Sequence, residues 1–264
     1  MPEGGGNERA GGTWRIGNNV TALRLAASFL TVVPVGPRSQ AAEDELAASF
    51  GMFPLVGFIL GATLALEDLL LALLFGAGIR SALVILTSVA ITGALHLDAL
   101  ADTADALGAG GDRAKVLEIL RDSSIGVFGS IAIFSWLGLQ WIALAGLQGP
   151  LRTAAIYLAP GVGRWAMVAV AAGLDYLRPA GAGSFLKPGW AWFNLRIASA
   201  IAVVAILPVF SSHARAAAAA AIAVAIALRW FYRRWLGGMT GDLLGAAGAL
   251  AELAAMLAMA ARSP

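Results

Sequence analysis

The chain has 264 residues, of which 59% are hydrophobic and 13% are charged, and its formal net charge is +2. Since soluble domains carry about 25% charged residues, this composition predicts an integral membrane protein in contact with the lipid bilayer. The chain has no cysteine, which excludes disulfides, thiolate metal ligands and cysteine nucleophiles. The sequence has no basic patch with interleaved aromatic residues, which would indicate binding to nucleic acid.

The first residues, MPEGGGNERAGGTWRIGNN, are rich in glycine and polar residues and lack an apolar run after a basic region. We therefore expect residues 1–21 to form a disordered cytoplasmic leader rather than a secretory signal. A single membrane domain is expected to follow over residues 22–264. Its first segment, Ala22–Val35, is too short to span and contains Pro34, which predicts an interfacial or re-entrant helix.

Seven apolar segments approach the roughly 20 residues that a helix needs to cross the bilayer core. They are Leu46–Leu66, Ser81–Leu97, Gly126–Leu147, Thr153–Gly173, Leu195–Phe210, Ala214–Leu228 and Met239–Ala261. The fifth and sixth are short and leave open two half-helices or a hairpin. The predicted fold is an all-α, polytopic membrane helix bundle of about seven transmembrane helices plus short interfacial helices.

The basic residues predict the orientation of these spans. With a cytoplasmic N-terminus, thirteen of the 18 Lys and Arg residues lie on the cytoplasmic side and four on the other. This asymmetry follows the positive-inside rule. It places the segment ALHLDALADTADAL, which ends the second span, at the cytoplasmic face.

Three aspartates in that segment have the spacing of one helix face. Asp98, Asp102 and Asp105 are separated by four and three residues, so they form one stripe. Three unpaired carboxylates are costly at membrane depth, and a divalent cation would relieve their repulsion. Hard oxygen ligands favour Mg²⁺, Mn²⁺ or Ca²⁺, and Mg²⁺ commonly shares its ligands with substrate phosphates. The alternative is a solvated loop after a membrane helix. His96 falls on the opposite side of the helix and is a poor ligand for the same ion.

The following segment, DRAKVLEILRDSSIGVFGS, gathers further charges beside the stripe. Its apolar edge predicts a short amphipathic helix at the membrane interface, although a simple polar connector explains the same charges. Arg121 and Asp122 lie at its end and would join the aspartates at the cytoplasmic surface.

Arg164 is a charged residue inside the fourth predicted span. Such residues usually face the bundle interior and have a partner. Because a guanidinium can bind a diphosphate with two parallel hydrogen bonds, Arg164 is a candidate substrate clamp, and a structural ion pair is the alternative. Glu252 lies deep in the last span and must be paired, protonated or facing a cavity.

A glycine-rich turn opens the last span. Backbone N–H groups at a helix N-terminus can bind a phosphate closely when glycines surround them, which makes this turn a candidate phosphate site. A helix cap with close helix packing is the alternative. The residues concerned are Gly237, Gly238, Thr240, Gly241 and Asp242.

These motifs together resemble a known family. HLDALADTADAL is similar to the HLDGLADTADG signature of the cobalamin synthase family, the adenosylcobinamide-GDP ribazoletransferases. RDSSIG at 121–126, GRW at 163–165, LGGMTGDLLGAAGALAEL at 236–253 and FPLVG at 53–57 extend the resemblance. Ala99 and Ala106 stand where the family usually has glycine, and Ser124 stands where arginine is common.

The resemblance implies a multi-pass enzyme of the bacterial inner membrane in late cobalamin (vitamin B12) biosynthesis, with its active site on the cytoplasmic side. The enzyme would join adenosylcobinamide-GDP to α-ribazole, or to its 5′-phosphate, and release GMP with the help of Mg²⁺. Homo-oligomerisation and association with other cobalamin-pathway enzymes stay open.

Joined with the residue pattern, the resemblance gives each motif an expected role. Metal binding is assigned to Asp98, Asp102, Asp105 and Asp242. The candidate proton acceptors are the three stripe aspartates, Asp122 and His96. Substrate binding is assigned to Arg121, Ser123, Arg164, Gly237, Gly238, Thr240, Gly241 and Asp242.

Two other classes of protein are alternatives. A CDP-alcohol phosphotransferase also uses membrane aspartates and magnesium, but ADTAD lacks the Asp-Gly and Ala-Arg steps of that signature. A cation-coupled transporter would explain Arg164 and Glu252, but it does not explain acidic and basic motifs gathered at one surface.

Overall fold

The computed structural model describes residues 16–36, 41–120, 124–178 and 188–261. These ranges are helical, apart from turns and one isolated β-bridge between Tyr176 and Met239. The helices are α1 (Ile16–Leu30), α2 (Glu43–Ser49), α3 (Phe53–Leu71), α4 (Ala77–Thr92), α5 (Leu95–Ala109), α6 (Arg113–Ile119), α7 (Val127–Gly146), α8 (Gly149–Ala171), α9 (Pro188–Ile206), α10 (Ser212–Trp235) and α11 (Gly241–Ala260).

Within these ranges, six helical segments are long and apolar enough to cross a membrane. The first runs from Glu43 to Leu71 through α2 and α3, and the others are α7, α8, α9 with its terminal turn, α10 and α11. A seventh span arises if α4 and α5, which meet at an angle of 87°, are counted as one broken helix. The predicted all-α membrane bundle is confirmed for the described part of the chain.

The two spans that were short in the sequence are full helices. α9 has 19 residues and α10 has 24, so both half-helices and a hairpin are wrong for this region. At the other end of the chain, α1 begins at Ile16 and packs against α2 and α3. Residues 16–21 of the expected leader are therefore helical, and residues 1–15 lie outside the described ranges.

The second predicted span, Ser81–Leu97, is wrong at its C-terminal end. α4 ends at Thr92, where Gly93 and Ala94 both adopt left-handed backbone conformations with φ of 61° and 59°. Two consecutive left-handed residues cannot continue a right-handed helix. The chain therefore turns sharply, and α5 carries the aspartate stripe in a new direction.

α8 lies at the centre of the bundle. In its most apolar stretch 89% of the residues are buried, compared with 28% in α7. α3 approaches α8 very closely, because a Cβ atom on Gly57 would lie 2.5 Å from the carbonyl oxygen of Pro160. Gly57 and Gly61 provide the small-residue spacing that membrane helices use for such contacts.

A buried polar network joins four helices at one end of the bundle. Arg152 donates through Nε and Nη2 to the two oxygens of Asp68, at 2.9 and 2.7 Å, and through Nη1 to Ser81 and to the carbonyl of Leu144. Arg80 adds a second contact to Asp68 at 3.3 Å. The network connects the end of α3 with the starts of α4 and α8 and the end of α7.

Candidate active site

The aspartate stripe lies on α5, near the opposite end of the bundle from this network. Asp98 is exposed, whereas Asp102 and Asp105 are partly buried. His96 is 7% exposed and faces α11, where a Cβ atom on Gly248 would meet its ring. His96 is thus buried against α11 whereas Asp98 is exposed, which agrees with the expectation that they lie on different sides of α5, and the role of His96 as a proton acceptor stays a prediction.

Asp105 holds the N-terminus of α7. Its carboxylate oxygens accept hydrogen bonds from the backbone N–H groups of Gly126, at 2.7 Å, and Gly129, at 2.9 Å. A Cβ atom on either glycine would lie 2.3 Å from a carboxylate oxygen of Asp105. A carboxylate at this position also interacts favourably with the helix dipole. Asp105 therefore has a capping role that the spacing did not predict, and its metal role stays a prediction.

The glycine-rich turn leads into α11. Thr240 is the N-cap residue and accepts a hydrogen bond from the backbone N–H of Leu243. Gly237 has a φ of 75°, and a Cβ atom on Gly238 would lie 2.4 Å from the carbonyl oxygen of Asp175. Gly241 has open space on the side where a Cβ would stand. The cap is thus Thr240 rather than Asp242, which leaves the Asp242 side chain available for other contacts.

Arg178 supplies the positive charge beside this turn. Its Nη2 donates to Oδ2 of Asp242 at 2.5 Å and to the carbonyl of Leu120 at 2.7 Å. The side chains of Arg178 and Asp242 are each 21% exposed. Through these bonds the end of α6, the segment after α8 and the start of α11 meet at one point.

Asp102 is the electrostatic centre of the site. The charges of Asp98, Asp242 and Asp105 all repel its carboxylate, and the guanidinium of Arg178 attracts it. Two motifs about 140 residues apart in sequence, the stripe on α5 and the start of α11, are therefore neighbours in space. The α5 and α11 helices pack closely here, because a Cβ atom on Gly245 would lie 2.5 Å from that of Ala99.

The donor chemistry around Asp102 fits a magnesium ion. The cluster supplies only carboxylate oxygens, which Mg²⁺ prefers, and a cation would offset their repulsion. No group of three or more His, Asp or Glu side chains within the described ranges is close enough to hold a metal by itself. Mg²⁺ usually binds one or two carboxylates together with waters and substrate phosphates, so the cluster meets that smaller requirement.

Arg164 does not contact the aspartates in the described hydrogen bonds and has a partner of its own. Its guanidinium is 3% exposed and forms an ion pair with Glu252, and Nη1 also donates to the carbonyl of Pro160. His96 lies close enough to interact electrostatically with Arg164. The contact between Arg164 and Glu252 favours a structural ion pair over a substrate clamp. It also gives Glu252 the partner that its depth in the membrane requires.

Three of the predicted site residues lie outside the described ranges, namely Arg121, Asp122 and Ser123. The amphipathic segment before them forms α6, which Asp112 caps by accepting a hydrogen bond from Lys115 N–H at 3.0 Å. Leu120, just after α6, is the residue whose carbonyl Arg178 binds.

The sequence analysis missed Arg178 as a site residue. It stands in the loop after α8, within YLRPAG, and no local motif marks it. The available signal was topological, because the predicted spans Thr153–Gly173 and Met239–Ala261 put Arg178 and the glycine-rich turn on the same side of the membrane. Its neighbour Asp242 is 64 residues away in sequence, so spacing could not identify the pair.

Comparison with known proteins identifies the family of the chain. The sequence profile of the family described as Cobalamin-5-phosphate synthase matches residues 22–260. The chain is 36% identical over 255 residues to an adenosylcobinamide-GDP ribazoletransferase of Bradyrhizobium diazoefficiens, which covers 95% of this chain and 97% of that protein. It is 37% identical over 246 residues to one of Herpetosiphon aurantiacus, which covers 90% and 94% of the two chains. No solved structure matches. With the profile covering nearly all the helices and every described motif of the site, the chain belongs to the cobalamin-5-phosphate synthase family.

Proposed function

We propose that this protein is an adenosylcobinamide-GDP ribazoletransferase that acts in the assembly of the cobalamin nucleotide loop. The observation that carries the proposal is the cluster around Asp102, where the α5 stripe, Asp242 and Arg178 converge. Such a cluster offers carboxylates for a cation and a guanidinium for phosphate oxygens. The names of the relatives support the same substrates.

The proposed reaction is a displacement at phosphorus. The hydroxyl oxygen of α-ribazole, or of its 5′-phosphate, attacks the phosphorus on the cobinamide side of the diphosphate. The bond between that phosphorus and the bridging oxygen breaks, and GMP leaves with the electron pair. The hydroxyl proton passes to a carboxylate oxygen of the cluster, for which Asp98 and Asp102, the stripe aspartates without a capping role, are the first candidates. Reactions of this kind depend mainly on positioning and on stabilisation of negative charge.

One or two of the carboxylates of Asp98, Asp102 and Asp242 would hold Mg²⁺, together with waters and substrate phosphate oxygens. When bound, the ion would supply Lewis-acid stabilisation to the phosphate oxygens. Asp105 contributes by fixing the start of α7 against α5. The open side of Gly241, at the positive end of α11, leaves room for a phosphate oxygen beside Asp242.

We further propose that the site faces the cytoplasm and that the protein resides in the bacterial inner membrane. The distribution of basic residues supports this orientation. Arg164 and Glu252, the two residues that suggested a transporter, satisfy each other in a buried ion pair, which reduces the support for that alternative.

Purified protein in detergent tests the proposal directly. Release of GMP from adenosylcobinamide-GDP is measured with Mg²⁺ and either α-ribazole or its 5′-phosphate, beside CMP release from a CDP-alcohol. We expect Asp98→Ala and Asp102→Ala to lower GMP release by at least about 100-fold, as loss of a group that stabilises the transition state does, while folding is retained. Asp44→Ala, at an exposed position on α2, is the control and should remain active. Near-normal activity in both stripe variants would falsify the assignment, and CMP release would favour the phosphotransferase.

A further inference from the structure

The backbone just before Arg178 is hydrogen-bonded to the glycine-rich turn beside the acidic cluster. Leu177 N–H donates to the carbonyl of Met239 at 2.9 Å, and Met239 N–H donates to the carbonyl of Asp175 at 2.8 Å. These two bonds fasten the segment before Arg178 to the glycine-rich turn. A long side chain at such a fixed point loses less freedom on binding a ligand than one on a free loop.

Within the described ranges, the guanidinium of Arg178 has unused capacity to donate hydrogen bonds. Nη2 makes both of the bonds described above, to Asp242 and to Leu120. Nε is buried and has no partner among the described residues. An arginine presents five N–H donors in a planar fork, which fits two oxygens of a carboxylate or a phosphate. Because Arg178 contacts Asp242 through Nη2, other N–H donors of the guanidinium are left that a phosphate could engage.

The charges of the cluster are also unbalanced. Asp98, Asp242 and Asp105 repel Asp102, and Arg178 is the cationic side chain that attracts it within the described ranges. Any cation entering the cluster needs carboxylate oxygens, and any diphosphate needs a positive partner. As long as Arg178 and Asp242 neutralise each other, neither is fully available to a ligand.

We propose that Arg178 is the diphosphate-binding residue of this site and that Asp242 holds it in place until the diphosphate arrives. On binding, the guanidinium exchanges the carboxylate of Asp242 for phosphate oxygens, and Asp242 is released to face the metal. This exchange couples the binding of the anion to that of the cation. The inference rests on the proposed function for the identity of the diphosphate ester, but the exchange itself requires only a diphosphate.

A metal-free binding measurement isolates the exchange. The affinity of the full-length protein in detergent for inorganic diphosphate is measured by calorimetry in EDTA. Asp242→Asn removes the competing carboxylate, so we expect it to tighten binding about tenfold, the value of one charge-assisted hydrogen bond. In the Arg178→Gln background the same Asp242→Asn change should produce no gain.

The double-variant comparison separates exchange from simple charge. If Asp242→Asn tightens binding equally in both backgrounds, the gain is a general effect of lost negative charge and the inference is wrong. The absence of any gain with Arg178 intact also overturns it. Arg229→Gln, which removes a cation that lies over the Trp192 ring, is the matched control and should leave the gain from Asp242→Asn unchanged.

Two further readouts keep the inference testable. If Arg178→Gln does not fold, Arg178→Lys keeps the charge but not the fork, and the gain from Asp242→Asn should then be smaller than with arginine; an equal gain contradicts the exchange. GMP release is followed in parallel. If the gain from Asp242→Asn depends on Arg178 but the wild-type protein releases no GMP, only the proposed function is refuted. If the wild-type protein releases GMP but the gain does not depend on Arg178, only the inference is refuted.

Discussion

Residues with the same spacing acquire different roles once their partners are known. Asp98, Asp102 and Asp105 form one stripe in the sequence, and the helical face was predicted from their spacing. The structure separates Asp105 from the other two, because the glycines that it caps are 21 and 24 residues away on another helix. A pattern within one helix contains no information about such a partner, so the stripe was predictable and its division was not.

Asp105→Ala tests this division. The substitution removes the acceptor of two backbone N–H groups at the start of α7, and lost caps of this kind cost about 1–2 kcal/mol. We expect a clear fall in the thermal unfolding midpoint in detergent. Asp98→Ala is the matched control, because Asp98 is exposed and should change the midpoint little. Equal midpoints for the two variants would contradict the capping role.

The buried ion pair of Arg164 and Glu252 also shows that the sequence alone does not identify long-range partners. Depth in the membrane required both residues to have partners, and the sequence analysis stated an ion pair as one alternative. Their separation of 88 residues concealed that each is the partner of the other. The need for a partner was therefore predictable at both positions. Which residue is the partner depends on how α8 packs against α11, and the sequence does not contain that information.

At the scale of elements, hydropathy predicted where helices exist better than where they bend. The runs that became α7, α8 and α11 were located within a few residues, since apolar length is what the bilayer demands. The break between α4 and α5 was missed, because Gly93 and Ala94 leave the apolar pattern intact. Only the backbone dihedral angles of these two residues reveal the 87° turn.

Ala94→Gly tests the strain at this break. Ala94 is the only non-glycine residue with positive φ in the described ranges, and a left-handed conformation costs an L-residue about 1–2 kcal/mol. We expect glycine to raise the free energy of unfolding by up to roughly 1 kcal/mol. Part of the relieved strain is offset because glycine gives the unfolded chain more conformational entropy. The measurement is chemical unfolding in mixed detergent. The control, Ala82→Gly within α4, should be destabilising by about 1 kcal/mol, and a loss of stability in both variants would exclude strain at Ala94.

At the scale of the whole molecule, the main result of topology is that distant motifs share one end of the bundle. Because the predicted spans cross the membrane alternately, they put the aspartate stripe, the charged segment after it and the glycine-rich turn on one side of the membrane. The structure places Asp102, Asp242 and Arg178 together at that end. The angle at which the helices cross, which determines which side chains meet, depends on close contacts such as that of Gly57 with α8 and could not be predicted.

The absence of cysteine makes the orientation straightforward to measure. Single cysteines at Ala109 and Asp175, which are exposed at the site end, should react with a membrane-impermeant maleimide only from the cytoplasmic side. Cysteines at Gly76, in the connection before α4, and at Ser212, the first residue of α10, lie at the other end and should react from outside. Inverted and right-side-out vesicles provide the comparison. Labelling of Ala109 and Asp175 from opposite faces would contradict a single site.

The polar network around Arg152 has a consequence for how the bundle moves. Its hydrogen bonds lock α3, α4, α7 and α8 together at the end remote from Asp102. Helices pinned at one end can tilt only about that end, so a small rotation there becomes a displacement that grows with distance along each helix. We expect the network to act as a pivot, so that any widening that admits a large substrate occurs at the opposite end of the bundle, with little rearrangement around Arg152.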